Sequence, residues 1–241
     1  MTPEELSAYF ERIRARQREI QLNVYRTRTA AAYHIGNARD MVADSERAQM
    51  FTGLDDVTDL LTQLPRLIGR IEHFNGLADD AWAQPRNTDK LAEYDGVLLE
   101  AYDAIQIQPR VYERLVRRTV KPVLDDAQVA KDLPCDDPSR LAIEQFVRLE
   151  IEDYLATESE TASIVQQIDA DRDSVVQAYH EPMHEYLQAK GRSDEASFAA
   201  GLNGIRLAAT SFDDRQGYGF MDYAGAWIDR ELDRANQSAD T

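Results

Sequence analysis

An apolar seam near the N-terminus constrains the fold of this chain more than any other feature of the sequence. Between Pro3 and Gly36 there is neither glycine nor proline. The seam residues follow one another at alternating steps of four and three: Leu6, Phe10, Ile13, Gln17, Ile20, Val24, Thr27 and Ala31. This spacing puts them on one side of an α-helix, so it predicts a helix of about 30 residues that packs along a partner helix.

Signals that start a helix recur along the rest of the chain. Thr2 and Glu5 have the spacing of a capping box, and the segments that begin at Asn87, Asp137 and Ser193 open with residues that favour helix starts. Strand-like alternation of apolar and polar residues does not extend over any useful length. The sequence therefore predicts an all-α fold, an elongated multi-helix bundle with a long N-terminal helix.

Helix-breaking residues predict where several helices bend or end. Pro65 is expected to kink one helix, and Asn75-Gly76 to end it. The helix that starts at Pro109 is expected to close at Pro122. The later helices are predicted over residues 137–155, about 160–190, 193–209 and 220–235.

The charges divide the chain into two unequal parts. Residues 1–120 carry 19 acidic and 16 basic side chains, whereas residues 121–241 carry 25 and 11. Two prolines and five aspartates fall within residues 122–137. We therefore predict a near-neutral half over 1–121, an acidic, partly ordered link over 122–137 and an acidic half over 138–241, folding as one cooperative unit. The two halves either meet different partners or pack on each other.

The overall charge indicates the environment of the protein. Its 241 residues have a net charge of -17, with 23 arginines but only four lysines. A surface rich in carboxylates suits concentrated salt, where screening over about 3 Å removes self-repulsion. A halophilic source is the leading interpretation, and an acidic protein of a high-GC bacterium or its phage is the alternative. Such a surface disfavours independent or sequence-specific nucleic-acid binding, because phosphates repel it.

The sequence gives no sign of export. Cys135 is the single cysteine, so an intrachain disulfide cannot form. No apolar run approaches the ~18 residues of a membrane span, and the acidic N-terminus lacks the features of a signal peptide. We expect a cytoplasmic protein without a membrane partner, or a component of a virus particle assembled in the cytoplasm.

A basic stripe stands out on this acidic chain. Arg110, Arg114, Arg117 and Lys121 recur at steps of four, three and four, with Arg118 beside them. One helix face therefore carries all four. They could pair with the acidic second half of the same chain, meet the acidic surface of a neighbouring subunit or contact phosphate.

One motif suggests metal chemistry. His180-Glu181-x-x-His184 has the spacing with which a helix presents two zinc ligands and a general base. Pro182 is expected to bend the helix there, and no histidine follows to supply a third ligand. Glu181-x-x-His184 is also half of a di-iron motif, but the second half is missing. Neither a cofactor nor a metal is predicted.

Two further segments resemble ligand loops only in part. Asp169, Asp171 and Asp173 have the spacing of a calcium loop, but Ser174 stands where that loop needs glycine, and the helical spacing continues through them. The segment 217–227 is rich in glycine and aromatic residues but lacks the Lys-Ser/Thr ending of a phosphate loop. A solvated helix face and a loop before the last helix are the predictions.

The last helix carries three large aromatic residues on one side. Phe220, Tyr223 and Trp227 are spaced at three and four. They either close the core or dock on a partner subunit.

These features favour a structural role over an enzymatic one. The leading hypothesis is a non-enzymatic assembly protein that forms homo-oligomers and binds neighbouring structural proteins. Its specific form is a head-to-tail connector (adaptor) of a tailed virus from a halophilic host. The alternatives are a metal-dependent hydrolase that uses His180, Glu181 and His184, and a cytosolic helical ligand-binding or regulatory protein.

Overall fold

The described part of the chain is entirely helical in its regular elements. The computed structural model describes residues 1–83 and 85–239, with the side chains of all of these except 119–122, 124, 238 and 239. Its helices are α1 (Pro3–Tyr25), α2 (Thr29–Ala43), α3 (Ser45–Thr52), α4 (Thr58–Trp82), α5 (Thr88–Ala104), α6 (Pro109–Ala130), α7 (Pro138–Val147), α8 (Ile151–Ala178), α9 (His180–Ala189), α10 (Glu195–Ser211) and α11 (Phe220–Ala239), with a 3₁₀ turn at Asp214–Gln216. The all-α prediction and the long N-terminal helix are confirmed.

Helix starts follow the local capping signals. The Thr2 N–H donates to Glu5 Oε2 at 2.8 Å, and the Glu5 N–H donates to Thr2 Oγ1 at 3.2 Å, which completes the predicted capping box. Asn87, Asp137 and Asp194 each accept a backbone N–H at the start of α5, α7 and α10. These contacts satisfy amides that the first helical turn leaves without partners.

The N-terminal helix is shorter than its apolar seam predicts. It ends at Tyr25, so the expectation of one helix to about residue 35 was wrong. Thr27 Oγ1 donates to the Val24 carbonyl at 2.7 Å, and the Arg28 N–H donates to the Phe146 carbonyl of α7 at 3.0 Å. A contact with a distant helix thus replaces the helical hydrogen bond, and α2 begins at Thr29.

Two helices continue through prolines where the sequence predicts a kink or an end. α4 contains Pro65 and passes Asn75-Gly76, and α6 runs beyond Pro122 to Ala130. The predicted ends at Gly76 and Pro122 were wrong, and residues 122–130 are helical. Burial beyond each proline offsets its cost: Ile71 and Ala78 are fully buried in α4, and Ala127 and Ala130 join Val147, Ile151 and Tyr154 in a core cluster.

Two other helices are broken where the sequence predicts continuity. Arg148 adopts a left-handed conformation (φ 54°) and separates α7 from α8. Tyr179 separates α8 from α9. Pro182 therefore occupies the third position of α9, where a helix does not need its backbone N–H.

The chain divides into two compact units. The central unit consists of residues 17–163, and the terminal unit of residues 1–16 with the chain from 164 onward. The boundaries between the two compact units fall within α1 and α8. The division predicted from the charges falls elsewhere, at residues 122–137. In the central unit α4 packs against α2 and α5, and in the terminal unit α10 packs against α9 and α11.

Candidate functional site

The basic stripe lies on α6, in the central unit. Arg110 is half-buried, and Arg114, Arg117 and Arg118 are exposed. The side chain of Lys121 lies outside the described residues. The stripe is therefore only partly available to a partner at its N-terminal end.

Arg117 of the stripe is paired within the chain. Arg117 donates from Nε and Nη2 to Glu113 Oε1 at 3.1 and 2.9 Å. Glu113 is 4% exposed, and its other oxygen accepts from Gln17 Nε2 at 2.8 Å. Arg117 thus neutralises a buried carboxylate of its own helix, which does not belong to the acidic second half of the chain.

The outer side of α6 carries two further arginines and an apolar residue. Arg114 and Arg118 form no ion pair with any described side chain. Val129 follows Arg118 by eleven residues, about three helical turns, and so lies on the same side of the helix. Its side chain is 75% exposed, the largest exposure among the large hydrophobic residues described. We call Arg114, Arg118 and Val129 the α6 face.

The aromatic residues of α11 contribute to the core of the terminal unit. Phe220 is 2% exposed and contacts Phe212 at 5.2 Å and Tyr179 at 4.6 Å between ring centroids. Tyr223 and Trp227 are half-buried, with centroids 6.4 Å apart. Phe220 therefore closes the core, while Tyr223 and Trp227 lie at its edge. Arg230 covers the Trp227 ring at 4.8 Å.

The two histidines of the hydrolase motif pack on an aromatic ring. His180 is exposed and His184 is half-buried, and their centroids lie 5.1 and 6.3 Å from that of Phe198. Among residues 1–83 and 85–239, no group of three or more His, Cys, Asp or Glu side chains has an arrangement that could hold a metal ion. The described residues thus supply no third ligand to His180 and His184.

The aspartates with calcium-loop spacing are part of α8, as the helical spacing predicts. Asp171 pairs with Arg12 at 3.2 Å and also with Arg16. These ion pairs connect α8 to α1 inside the terminal unit. Asp171 therefore has a structural role that its loop-like spacing does not indicate.

An apolar pocket that the sequence analysis missed opens in the central unit. Its enclosed volume is about 30 Å³, room for one or two water molecules. Its walls come from α1, the turn after α1, α2, α6, α7 and α8. The lining residues are Asn23, Val24, Thr27, Thr29, Leu115, Val116, Val123, Phe146, Val147, Tyr154, Glu158 and Thr161. Most of these side chains are apolar, and the single carboxyl group among them is that of Glu158.

Glu158 is an ionisable group in apolar surroundings. Burial raises its pKa to about 7, and a hydrogen bond with Tyr154 opposes the shift only in part. The spacing along α8 indicates that Glu158 lies on the buried side of the helix. Ile151, Tyr154, Glu158 and the buried Thr161 follow one another at steps of three, four and three residues. A glutamate in the buried stripe of a helix predicts a perturbed carboxyl group.

We expect the Glu158→Gln substitution to change the pH dependence of stability. Between the ordinary carboxyl pKa and about 7, folded Glu158 holds a proton that the unfolded chain releases. Its contribution to stability is therefore present at low pH and lost as pH rises through 7. Between pH 5 and 8, the free energy of unfolding of the variant should rise by about 1–2 kcal/mol relative to that of wild type. This value is reduced for partial solvent screening. Urea unfolding at pH 5, 6, 7 and 8 measures it.

Glu160→Gln is the matched control, because Glu160 is an exposed residue of the same helix. Its difference from wild type should stay constant over this pH range. A constant difference for Glu158→Gln as well would contradict the raised pKa.

A second buried polar group in the central unit has its hydrogen bonds satisfied internally. His34 is fully buried, with Nδ1 at 2.6 Å from the Ala30 carbonyl and Nε2 at 2.5 Å from the Tyr112 hydroxyl. Burial lowers the pKa of His34 to about 4, so the ring is neutral at pH 7. Nδ1–H then donates to Ala30, and Nε2 accepts from Tyr112. His34 stacks on Tyr102 at 4.1 Å and joins α2 to α5 and α6.

Among the described residues, no helix has the length and apolar character needed to cross a bilayer. No protein-family model matches the sequence, and no curated protein is significantly similar to it.

Proposed function

We propose that this chain is a helical assembly protein without catalytic activity of its own, which associates with further copies of itself through the α6 face. The specific form that we propose is a head-to-tail connector (adaptor) of a tailed virus that infects a halophilic host. The observation that carries the proposal is the α6 face itself, with two exposed arginines in line with an exposed valine.

Charge complementarity supports a second copy as the partner. The chain has a net charge of -17, with 44 acidic and 27 basic side chains, so a neighbouring copy carries an excess of negative charge. Arg114 and Arg118 offer positive charge without a described ion-pair partner, and Val129 offers apolar area that association removes from water. Arg114 and Val129 are separated by about 22 Å along the helix. The exposed Asp125 lies between Arg118 and Val129 on the same side, so the positive charge is confined to the Arg114–Arg118 end of the face.

The composition supports the environment that we propose. Arginine outnumbers lysine 23 to 4, and arginine forms planar, bidentate contacts with carboxylates, which are stronger than single hydrogen bonds. Paired charges in direct contact are also screened less than separated ones. An interface built on Arg114 and Arg118 is therefore compatible with the salt that an acidic surface requires.

Reversing two charges of the α6 face is expected to dissociate the assembly. In the double variant Arg114→Glu/Arg118→Glu, carboxylates replace cations opposite an acidic neighbour, and the association constant should fall about 100-fold. Light scattering over a range of protein concentrations, at 0.15 M and 2 M KCl, measures the mass. Circular dichroism verifies that the variant is folded.

The control is Arg66→Glu/Arg206→Glu, which makes the same charge change at two other exposed arginines. It should keep the oligomer mass of wild type. A wild-type chain that is monomeric at every concentration and at both salt levels overturns the assembly proposal. Equal masses for wild type and the α6 variant overturn the assignment of the face.

The connector form has its own test. An antibody against this chain should label the junction between head and tail in purified virus particles, and portal and capsid genes should adjoin its gene. If purified particles lack the chain and its gene neighbours are metabolic, the connector form is wrong even if the protein is an oligomer.

A further inference from the structure

Two asparagine–glycine pairs lie inside helices, although this dipeptide favours turns. Asn75-Gly76 lies in α4, about two turns before the helix ends at Trp82, and Asn203-Gly204 lies in α10. An asparagine followed by glycine can lose its side-chain amide without an enzyme, because glycine has no Cβ to shield its backbone nitrogen. Each pair is therefore a place where the covalent structure of the chain can change.

The reaction requires a backbone geometry that a helix does not provide. The Gly76 nitrogen loses its proton to hydroxide and attacks Cγ of Asn75. The Cγ–Nδ2 bond breaks, and Nδ2 takes a proton from water and leaves as ammonia, which restores the hydroxide. Water then opens the cyclic imide at either of its carbonyl carbons, which gives aspartate or isoaspartate. In a helix a carbonyl of the preceding turn holds the amide proton, and the fixed φ and ψ keep the nitrogen away from Cγ, so the helix must open first.

The contacts of Asn75 hold its side chain in place while the adjoining backbone stays accessible. Arg148 Nη2 donates to Asn75 Oδ1 and, at 3.2 Å, to the Asn75 backbone carbonyl. Asn75 Nδ2 donates to Asp79 Oδ2 at 3.4 Å. Gly76 is exposed, and a methyl group on it would meet no described atom within 4 Å. Water and hydroxide therefore reach this pair as soon as this turn of α4 opens.

The second pair is protected by helix packing. Asn203 Nδ2 donates to Oε2 of Glu231 in α11, a residue that is 6% exposed. Gly204 is buried, and a methyl group there would lie 2.6 Å from Cα of Ile228. Opening the chain at Gly204 therefore requires α10 to separate from α11. The two pairs share their chemistry and differ in the free energy of the opening that precedes it.

We propose that Asn75 is a spontaneous deamidation site, which intact α4 protects and local opening of α4 exposes. Aspartate at this position adds a third carboxylate beside Asp79 and Asp95, which both pair with Arg148. Isoaspartate lengthens the backbone of α4 by a methylene group and breaks its hydrogen-bond register. Either product weakens the contacts that close α4 again, and the chemical change is irreversible.

Incubation of the full-length protein at pH 8, in folding buffer and in concentrated urea, tests the proposal. Digestion at acidic pH followed by peptide mass spectrometry measures the conversion of Asn75 and Asn203. In urea the two should convert at the same rate within about twofold, because neither is held in a helix there. In the folded protein Asn75 should convert about tenfold or more slowly than in urea, and Asn203 about tenfold more slowly again.

Two variants separate the chemistry from the protection. Gly76→Ala fits the open space around Gly76 and crowds the attacking nitrogen, so it should slow conversion of Asn75 in urea about tenfold. Arg148→Met removes two hydrogen bonds to Asn75. It should raise the conversion of Asn75 in the folded protein about tenfold and leave that of Asn203 unchanged.

Three results overturn the proposal. They are conversion of Asn75 at the same rate in buffer and in urea, conversion of Asn203 in the folded protein at least as fast as that of Asn75, and no conversion of Asn75 in the folded protein after about 100 half-times of the reaction in urea. If Arg148→Met does not fold, the wild-type rates and Gly76→Ala still decide the matter. These outcomes are independent of the oligomer mass and of the α6 face.

Discussion

Replacing Arg148 with methionine is expected to lower the free energy of unfolding by about 2–3 kcal/mol, because its two carboxylate partners are only partly buried. The Arg148 side chain is 3% exposed and donates to Asp95 and Asp79, each at 3.2 Å. It also donates to the carbonyl and the side chain of Asn75. One guanidinium group thereby connects the end of α7 to α4 and α5.

Methionine keeps much of the volume of Arg148 and removes all of its donors. The loss of the guanidinium group affects Asp95 most directly, because burial already raises the pKa of Asp95 and Arg148 opposes that shift. Asp79 keeps its ion pair with Arg28 at 2.9 Å, so part of the network survives. The expected loss comes from partly buried acceptors left without a partner rather than from a cavity.

Urea unfolding at pH 7, in salt at which the wild type is folded, measures this loss. Arg66→Met is the control, because Arg66 is an exposed residue of α4. It should change stability by less than about 0.5 kcal/mol. A loss below about 1 kcal/mol for Arg148→Met would show that water or a shifted side chain satisfies the two aspartates, and the Arg148 network would then be unimportant for stability.

The second large effect is expected at Gly204, where α10 approaches α11. A methyl group at this position would lie 2.6 Å from Cα and 2.8 Å from N of Ile228. Because these are backbone atoms, no side-chain rotation relieves the overlap, and the two helices must separate. Gly204→Ala should therefore cost about 2–3 kcal/mol, although alanine is favoured over glycine within a helix by about 1 kcal/mol.

The same substitution at Gly69 should have the opposite sign. Gly69 lies within α4, and a methyl group there meets nothing within 4 Å. Gly69→Ala should stabilise the protein by about 0.5–1 kcal/mol. Thermal unfolding of both variants gives the comparison. If the two changes shift the midpoint in the same direction, the close approach of α10 and α11 is wrong.

Features that depend on neighbouring residues could be predicted from the sequence. The all-α class follows from helical spacing, and the starts of α5, α7 and α10 follow from Asn87, Asp137 and Asp194. A cap needs only a side-chain oxygen and an amide two or three residues later, both of which the sequence places side by side. The left-handed Gly191 after α9 was predictable for the same reason.

Helix ends decided by distant groups could not be predicted. α1 stops at Tyr25 because the Arg28 amide bonds to the Phe146 carbonyl, more than a hundred residues away. α6 continues past Pro122 because Ala127 and Ala130 reach the cluster around Tyr154. In both cases a local preference of about 1–3 kcal/mol is outweighed by contacts that spacing along the chain does not encode.

The candidate sites divide in the same way. Helical periodicity identified the basic stripe and the aromatic side of α11, because it sets which residues share a face of one helix. It did not show that Arg117 neutralises Glu113, that Glu158 lies in an apolar pocket, or that Arg148 joins three helices. Each of these depends on which groups from separate helices meet in a low-dielectric interior. Burial there fixes ionisation and hydrogen bonding, and only the tertiary structure determines burial.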